Sequence, residues 1–293
     1  MKTRPLSPLA STPVRFWRAL TLILSLFMTF LTLEPVNAGS DNMDAYAPEN
    51  IAEIDILPGW RAPDGRHMAA LRIRLADGWK TYWRAPGDSG IPPAFDWAGS
   101  RNMAGVRMLW PTPQVFDPDG LRTIGYKHEL ILPLAISPRR DGRPITIKGR
   151  VALGVCRDVC MPMEASFKAV LPARGEGAGS VEIRAALAEM PKSGAEAGLQ
   201  AISCEVEPIA DGLRVTARLT LPRVGQDEVA VIEPPDQTIW VSPTTLSRSG
   251  NRLTLVSDLV PANGKPFALA RSDIRISVFA GGKGVDIASC VGS

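Results

Sequence analysis

The chain has 293 residues, 45% of them hydrophobic, with 26 glycines and 26 prolines. This length and apolar content suit about two domains with cores of their own. Four cysteines are too few for a disulfide-dense mini-scaffold or a pair of zinc ribbons. The two histidines, His67 and His128, lie far apart and argue against a multi-histidine metal site.

The formal net charge of +3 comes from the N-terminal segment. Residues 1–38 contain four basic residues and one acidic residue, and the rest of the chain contains 29 of each kind. A surface that binds nucleic acid normally carries a basic excess. We therefore expect no nucleic acid among the partners.

Residues 1–38 have the pattern of a cleaved signal peptide. Basic residues up to Arg18 precede an apolar run at 19–33, and a Val-x-Ala sequence ends at Ala38, where we expect cleavage. The alternative is a retained anchor, but a spanning helix needs about twenty residues, more than this run supplies. The sequence predicts an exported protein whose cysteines pair or carry out redox chemistry.

From about Ile51 onwards, hydrophobic residues alternate with polar ones between turn sequences. Clear runs lie at 71–75, 145–155 and 165–171. A period of two is typical of half-buried strands in an antiparallel sandwich. We therefore predict a β-sandwich domain over residues 39–172.

Residues 173–200 are predicted to be a linker with one short helix. Glycine and alanine dominate up to residue 179, and no apolar period is present. The helix is expected over 180–190, with Ser180 as its N-cap and Pro191 ending it.

A second block of alternating residues fills 201–293. Strand-like runs at 213–221, 253–255 and 274–278 are separated by glycine-containing turns. Short strands at regular intervals over about ninety residues suit a small immunoglobulin-like sandwich. The expected fold class is thus all-β, with two sandwiches joined by the linker.

Cys156 ends one predicted strand and Cys160 precedes the next. A short hairpin loop brings such positions to a Cα separation of ~4.5–5.5 Å, which suits a disulfide. The ring that the bond closes is short and removes little entropy from the unfolded chain. A redox-active pair therefore explains the spacing better than a structural clip, which stays open as the alternative.

Cys204 and Cys290 lie near the two ends of the second block, 86 positions apart. A bridge between them would stabilise that domain by roughly 4 kcal/mol in the chain-entropy model. We predict a structural disulfide, because the alternative of two free thiols is rare in exported proteins.

A copper site is the alternative function for the first pair. Cys156, Cys160, Met161 and Met163 are soft ligands of the kind that select Cu(I), and His128 could complete such a site. The two methionines could equally pack as core residues of a strand.

Four stretches resemble the N-terminal domain of the thiol:disulfide interchange protein DsbD, and more closely its ScsB-type, suppressor-of-copper-sensitivity relatives. They are residues 77–93, 110–116, 125–133 and 156–162. The resemblance covers roughly residues 45–172. The cysteine spacing is shorter than in DsbD proper, which favours the ScsB-type branch.

The resemblance implies an immunoglobulin-like domain with redox cysteines on a hairpin and a capping loop that opens when a partner docks. It implies a periplasmic relay without a cofactor beyond the redox-active disulfide. Electrons would come from thioredoxin-like periplasmic proteins and pass to disulfide isomerases or cytochrome c maturation thioredoxins. The family's transmembrane and C-terminal parts are not found in this sequence, so a separate membrane transporter of the DsbD/CcdA type is expected.

The family assigns the mixed disulfide to the later cysteine, which is Cys160 here. Asp158 between the cysteines would raise a thiol pKa, whereas Arg157 would lower it. If neither side chain faces the thiols, both are simply solvated turn residues.

Three aromatic residues are candidates for the cap or lining of the site. Phe116 is the candidate cap, with ordinary core packing as the alternative. Tyr82 and Tyr126 are candidates for the lining, and each could instead be a buried structural tyrosine.

Overall fold

The computed structural model describes residues 48–117 and 121–291. The predicted signal peptide lies outside these ranges. The fold is all-β, as predicted, with four sheets arranged as two sandwiches joined through a segment that contains one helix. Among the described residues, none forms a helix long and apolar enough to cross a membrane.

The first sandwich follows a short helix, Pro48–Ile51. Its strands in the described part of the chain are β1 Ala52–Arg61, β2 His67–Leu75, β3 Lys80–Gly87, β4 Ala94–Asp96, β5 Met103–Met108, β6 Gln114–Phe116, β7 Thr123–Lys127, β8 Glu129–Pro138, β9 Ile145–Cys156 and β10 Cys160–Leu171. One sheet has the order β1-β2-β8-β5, and the other has the order β10-β9-β3-β7-β6, with β4 paired to β9.

Strand alternation determines which side chains form the first core. In β9, Ile145, Ile147 and Val151 are fully buried, whereas Lys148 and Arg150 between them are exposed. The buried side chains pack with residues of the facing sheet, among them Leu71, Leu132 and Leu134. At the end of β9, residues 153–156 are all buried, so here the sheet is covered on both faces.

The second sandwich also consists of two sheets. Its strands in the described part are β11 Lys192–Ser193, β12 Ala201–Pro208, β13 Leu213–Thr220, β14 Val229–Glu233, β15 Ile239–Val241, β16 Thr245–Ser249, β17 Arg252–Pro261, β18 Arg275–Ala280 and β19 Lys283–Ile287. One sheet has the order β11-β19-β18-β14, and the other has the order β12-β13-β17-β15, with β16 paired to β17. A separate apolar core fills the space between them.

The predicted helix forms as Ser180–Ala188, but Ser180 is not its N-cap. Gly179 occupies that position, and the Ser180 hydroxyl instead donates to the Gly177 carbonyl over 2.8 Å. The reason is the close approach of this segment to β1: the amide of Gly177 donates to Gly59 over 2.6 Å. A Cβ atom on Gly177 would lie 2.2 Å from the Pro58 carbonyl oxygen, so the glycines are needed for this contact.

The two sandwiches share apolar contacts. Val229 and Phe279 of the second sandwich belong to the core of the first. The rings of Trp83 and Phe279 meet edge to face with their centroids 5.1 Å apart. Because Trp83 lies on β3 between the buried residues of the first sandwich, this contact joins the second sandwich directly to a central strand.

A buried ionic cluster lies beside these rings. Arg84 on β3 donates two hydrogen bonds to Glu233 on β14, over 2.8 and 3.0 Å. Asp286 on β19 accepts from Arg275 over 2.7 and 2.6 Å and lies 3.5 Å from Arg84. The side chains of Arg84, Glu233 and Asp286 are only 13–15% exposed.

Candidate redox site

The two strands of the β9–β10 hairpin bring Cys156 and Cys160 together. The two residues are register partners at the hairpin end and form a disulfide with a Cα separation of 4.0 Å. This is slightly closer than the separation expected from the sequence. The bond follows directly from the register, since the whole of β10 pairs with β9 without a bulge.

The two sulfur-bearing residues differ in accessibility. Cys156 is 5% exposed, whereas Cys160 belongs to the exposed tip of the hairpin. A thiolate that attacks a disulfide must approach one sulfur from outside. The geometry therefore favours attack at Cys160 with Cys156 as the leaving group.

Tyr82, one of the two candidates for the lining, lies against the disulfide. Its hydroxyl is 3.1 Å from the Cys160 sulfur, and its side chain is 1% exposed. Two glycines make room for the ring, since a Cβ atom would lie 2.8 Å from it at Gly154 and 2.7 Å from it at Gly90. Burial raises the pKa of Tyr82, so the phenol stays neutral and can donate a hydrogen bond to sulfur.

The loop after β3 covers this tyrosine. A Cβ atom on Gly154 would lie 2.6 Å from the Ile91 side chain, so Ile91 packs directly onto β9 beside the ring. The loop is tied to the segment before β7, because the Asp88 amide donates to the Arg122 carbonyl over 2.8 Å and the Arg122 amide donates back to the Asp88 carboxylate over 3.1 Å.

Phe116 lies at the end of β6, half-buried, between two lysines. The ammonium of Lys80 is 5.3 Å from the ring centroid, and that of Lys127 is 4.9 Å from it. Lys80 is the register partner of both Cys156 and Lys127. Phe116 is therefore linked to the disulfide through Lys80, and its role as a cap remains a prediction.

Asp158 turns its carboxylate toward Arg157 rather than into the site. The two side chains form an ion pair of 3.0 Å, and the Asp158 side chain is 77% exposed. The guanidinium of Arg157 also lies 5.2 Å from the centre of the Trp79 ring. Both charged side chains are thus engaged with partners at the hairpin tip.

The structure does not bring Tyr126 to the disulfide. Tyr126 pairs with Thr81 rather than with Tyr82, which places it on the core face of the sheet. Its hydroxyl donates to the Pro111 carbonyl over 2.8 Å, and burial holds its pKa well above the usual range. Tyr126 thus takes the structural alternative that the sequence left open.

The four sulfur atoms of the copper alternative do not converge. Met161 and Met163 pair with Val155 and Leu153 and pack with the core of the first sandwich. Neighbouring residues of a strand point to opposite faces, so the thioethers lie on the face opposite the cysteines. Within the described ranges, no cluster of three or more His, Cys, Asp or Glu side chains could hold a metal ion.

Comparison with known proteins finds a likeness over this part of the chain. Residues 53–172 match the family model "Thiol:disulfide interchange protein DsbD, N-terminal". The match covers 120 of the 293 residues, which are those of the first sandwich. The matched range contains the β9–β10 hairpin, Tyr82 and both lysines beside Phe116, so the likeness includes the complete candidate site.

A solved structure extends the likeness beyond these residues. The N-terminal periplasmic domain of ScsB from Proteus mirabilis is 23% identical in sequence, with a TM-score of 0.59. The alignment covers 83% of this chain and 92% of that one, more than one sandwich alone could supply. The predicted ScsB-type likeness is therefore confirmed for the fold. A comparison with curated proteins gave no match.

The second disulfide joins Cys204 to Cys290, the pairing that the sequence predicted. Cys204 lies on β12 and Cys290 follows β19, so the bond joins the two sheets of the second sandwich. The residues are 6% and 1% exposed, with a Cα separation of 5.8 Å. Burial of both residues excludes direct attack by a protein thiolate in this state.

Sequence reasoning missed two features of the first sandwich. Lys80 was not singled out, although its position two residues before Tyr82 on one strand places both on one face. Arg84, two residues further on, continues this row to the second sandwich. A period-two count from Tyr82 could have found both residues, but their partners come from the register.

Proposed function

We propose that the chain is an exported, periplasmic thiol–disulfide exchange protein that relays reducing equivalents through Cys156 and Cys160. The observation that carries the proposal is an exposed Cys160 bonded to a buried Cys156 at the end of a hairpin. The DsbD N-terminal family match and the likeness to a periplasmic ScsB domain support it. The proposed electron donors are thioredoxin-like periplasmic proteins, charged by a separate membrane transporter of the DsbD/CcdA type.

The reaction balances without a cofactor. A thiolate of the partner attacks the Cys160 sulfur, the Cys156–Cys160 bond breaks, and Cys156 leaves as a thiolate. The partner's second thiol, once deprotonated, attacks the partner's first sulfur in the mixed disulfide and releases Cys160 as a thiolate. The partner is oxidised to a disulfide and this protein is reduced to a dithiol, which passes two electrons on by the same steps in reverse to an exported disulfide.

The first test is a redox titration of the mature protein. It is equilibrated in graded thiol–disulfide buffers, its free thiols are alkylated, and the modified cysteines are located by mass spectrometry. Catalytic pairs titrate at roughly −120 to −270 mV, whereas structural ones lie below about −300 mV. We expect Cys156–Cys160 in the first range, while Cys204–Cys290 stays oxidised. If both bonds resist reduction together, the relay proposal is wrong.

Partner trapping supplies the second test. In Cys156→Ser, a mixed disulfide at Cys160 can no longer be resolved from within the chain, so a thioredoxin-like partner whose own second cysteine is replaced by serine should stay attached. Cys160→Ser is the matched control and should trap far less, because Cys156 is 5% exposed. Equal trapping by both variants would contradict attack at Cys160.

The copper alternative is tested in the same preparations. It requires that the reduced protein bind Cu(I) and lose that binding in both Cys156→Ser and Met163→Leu. Because Met163 is 5% exposed and packs in the core, we expect Met163→Leu to leave any binding unchanged. Loss of binding in both variants would instead favour the copper function.

A further inference from the structure

Lys80 occupies the position directly across the sheet from Cys156. The two residues are register partners of β3 and β9, and Lys127 on β7 is the next residue in the same row. Side chains of directly opposed residues share a face of the sheet, with Cβ atoms about 4.5–5.5 Å apart. The row therefore places one cationic side chain directly beside the buried cysteine and a second one strand further away.

Among residues 48–117 and 121–291, neither Lys80 nor Lys127 forms an ion pair. The Lys80 ammonium has one hydrogen bond, to the Thr123 hydroxyl at 3.4 Å, and it lies over the Phe116 ring. Burial, and secondly the charge of Lys127, lower the pKa of Lys80. The Lys80 ammonium is thus held by one long hydrogen bond and is repelled by the charge of Lys127.

We propose that Lys80 stabilises the Cys156 thiolate that forms when the Cys156–Cys160 bond is broken, and so acts as a positioning residue for exchange. This inference rests on the proposed function. In the disulfide, the Cys156 sulfur carries no charge, and the ammonium rests beside Thr123 and Phe116. After attack on Cys160, Cys156 is a buried anion, which is costly unless a cation lies close to it. The flexible stem of Lys80 allows its ammonium to swing to that sulfur.

The other charged and titratable groups around the site are less well placed than Lys80 to stabilise the Cys156 thiolate. Lys127 is one strand further from Cys156. Arg157 at the hairpin tip is paired with Asp158 over 3.0 Å. The Tyr82 hydroxyl contacts the Cys160 sulfur.

The consequence concerns the direction in which the disulfide reacts. A thiolate stabilised by a neighbouring cation leaves faster, and its disulfide is reduced more readily. Lys80 would thus make this protein a better electron acceptor. It would also link the redox state to the Phe116 contact, because the ammonium leaves the ring when it moves to Cys156.

The experiment compares the wild-type protein with Lys80→Met, Lys80→Arg and Lys168→Met. Lys168 is an exposed residue on β10, opposite Lys148, and lies eight positions from Cys160, roughly 26 Å along the strand. Each protein is reduced, and alkylation at Cys156 is followed by mass spectrometry as a function of pH. The equilibrium of each protein with glutathione is measured in the same buffer.

In Lys80→Met we expect the alkylation profile to move to higher pH and the equilibrium constant for reduction to fall about tenfold, which is ~30 mV. Lys80→Arg should retain most of the wild-type behaviour, and Lys168→Met all of it. An unchanged profile in Lys80→Met or an equal shift in Lys168→Met would overturn the inference.

The same data separate this inference from the proposed function. Small-molecule reductants produce the Cys156 thiolate whether or not a protein partner exists. If the wild-type disulfide fails to exchange with thioredoxin-like dithiols but the Lys80→Met shift is present, the relay is wrong and the electrostatic role stands. If exchange occurs without the shift, only the role of Lys80 is wrong.

Discussion

The Tyr82 phenol donates a hydrogen bond to the Cys160 sulfur over 3.1 Å, from a ring that is almost fully buried. A disulfide sulfur is a weak acceptor, but a thiolate accepts a stronger, charge-assisted bond. The same contact therefore becomes more favourable when Cys160 is released as a thiolate. Because Tyr82 stays neutral, it can act as a donor over the whole pH range in which thiols ionise.

Tyr82→Phe should slow exchange without unfolding the protein. A hydrogen bond to a charged group contributes about 1.5 kcal/mol or more, so the thiolate fraction of Cys160 should fall about tenfold. The measurement is the rate at which the reduced variant attacks a model disulfide at neutral pH.

Tyr126→Phe is the matched control for this change. It removes one hydroxyl that donates to Pro111 in the core, at 2.8 Å. It should lower the free energy of unfolding by about 1 kcal/mol and leave the exchange rate unaltered. Equal rates in Tyr82→Phe and Tyr126→Phe would show that the contact with sulfur has no part in the reaction.

The second prediction concerns the ion pair between Arg84 and Glu233. Arg84→Met leaves two carboxylates, Glu233 and Asp286, buried with fewer partners. Breaking a buried pair by removing one partner costs about 3–5 kcal/mol of stability. Urea unfolding should show a loss of stability of that order, because the contact between the two sandwiches is weakened.

Arg218→Met provides the comparison for Arg84→Met. Arg218 and Glu205 form a 3.1 Å pair within one sheet of the second sandwich, with both side chains about half exposed, at 54% and 51%. Exposed pairs contribute ~0–1 kcal/mol, so this variant should unfold close to wild type. If the two variants lose the same stability, the buried cluster does not hold the sandwiches together.

The sequence alone was sufficient for the hairpin and for both disulfides. A hairpin is local, and period-two alternation identified its strands on either side of Cys156 and Cys160. Which of Tyr82 and Tyr126 lies beside the disulfide could not be predicted in the same way. Their difference depends on the register between β3 and β7, in which Tyr126 opposes Thr81, and a shift of one residue exchanges the faces of a strand.

The other features that the sequence did not predict depend on contacts between residues far apart in the chain. The Arg84–Glu233 pair joins residues 149 positions apart, and no local pattern in the chain indicates it. The displaced N-cap of the helix has a similar origin. Gly177 and Gly179 bind the backbone of β1, which sets the first turn before the Ser180 side chain can act as a cap.

The third prediction concerns stability at acid pH. His67 is completely buried, and neither ring nitrogen has a hydrogen-bond partner in the described structure. Burial, and secondly the charge of Arg61, lower the pKa of His67 from 6.5 to about 4. Between these two values, the unfolded chain binds a proton that the folded protein does not, so stability falls as the pH falls.

His67 affects the free energy of unfolding only within a defined pH range. The free energy of unfolding should decrease by up to about 1.4 kcal/mol per pH unit between pH 6.5 and pH 4, with no further loss from this group below pH 4. Urea unfolding at several pH values measures the slope. His67→Phe should flatten it, and His128→Gln, a change at an exposed residue, should not. The same slope in wild type and His67→Phe would assign the acid sensitivity to other groups.

The fourth prediction separates the two disulfides by function. Cys204→Ser together with Cys290→Ser removes a bond that closes a loop of 86 positions. The chain-entropy model gives such a bond roughly 4 kcal/mol, so the double variant should unfold at lower urea concentration. Its redox titration at Cys156–Cys160 and its trapping through Cys160 should remain as in wild type, measured where it is still folded. Loss of exchange in the folded double variant would place Cys204 and Cys290 in the electron path, against their burial between the two sheets of the second sandwich.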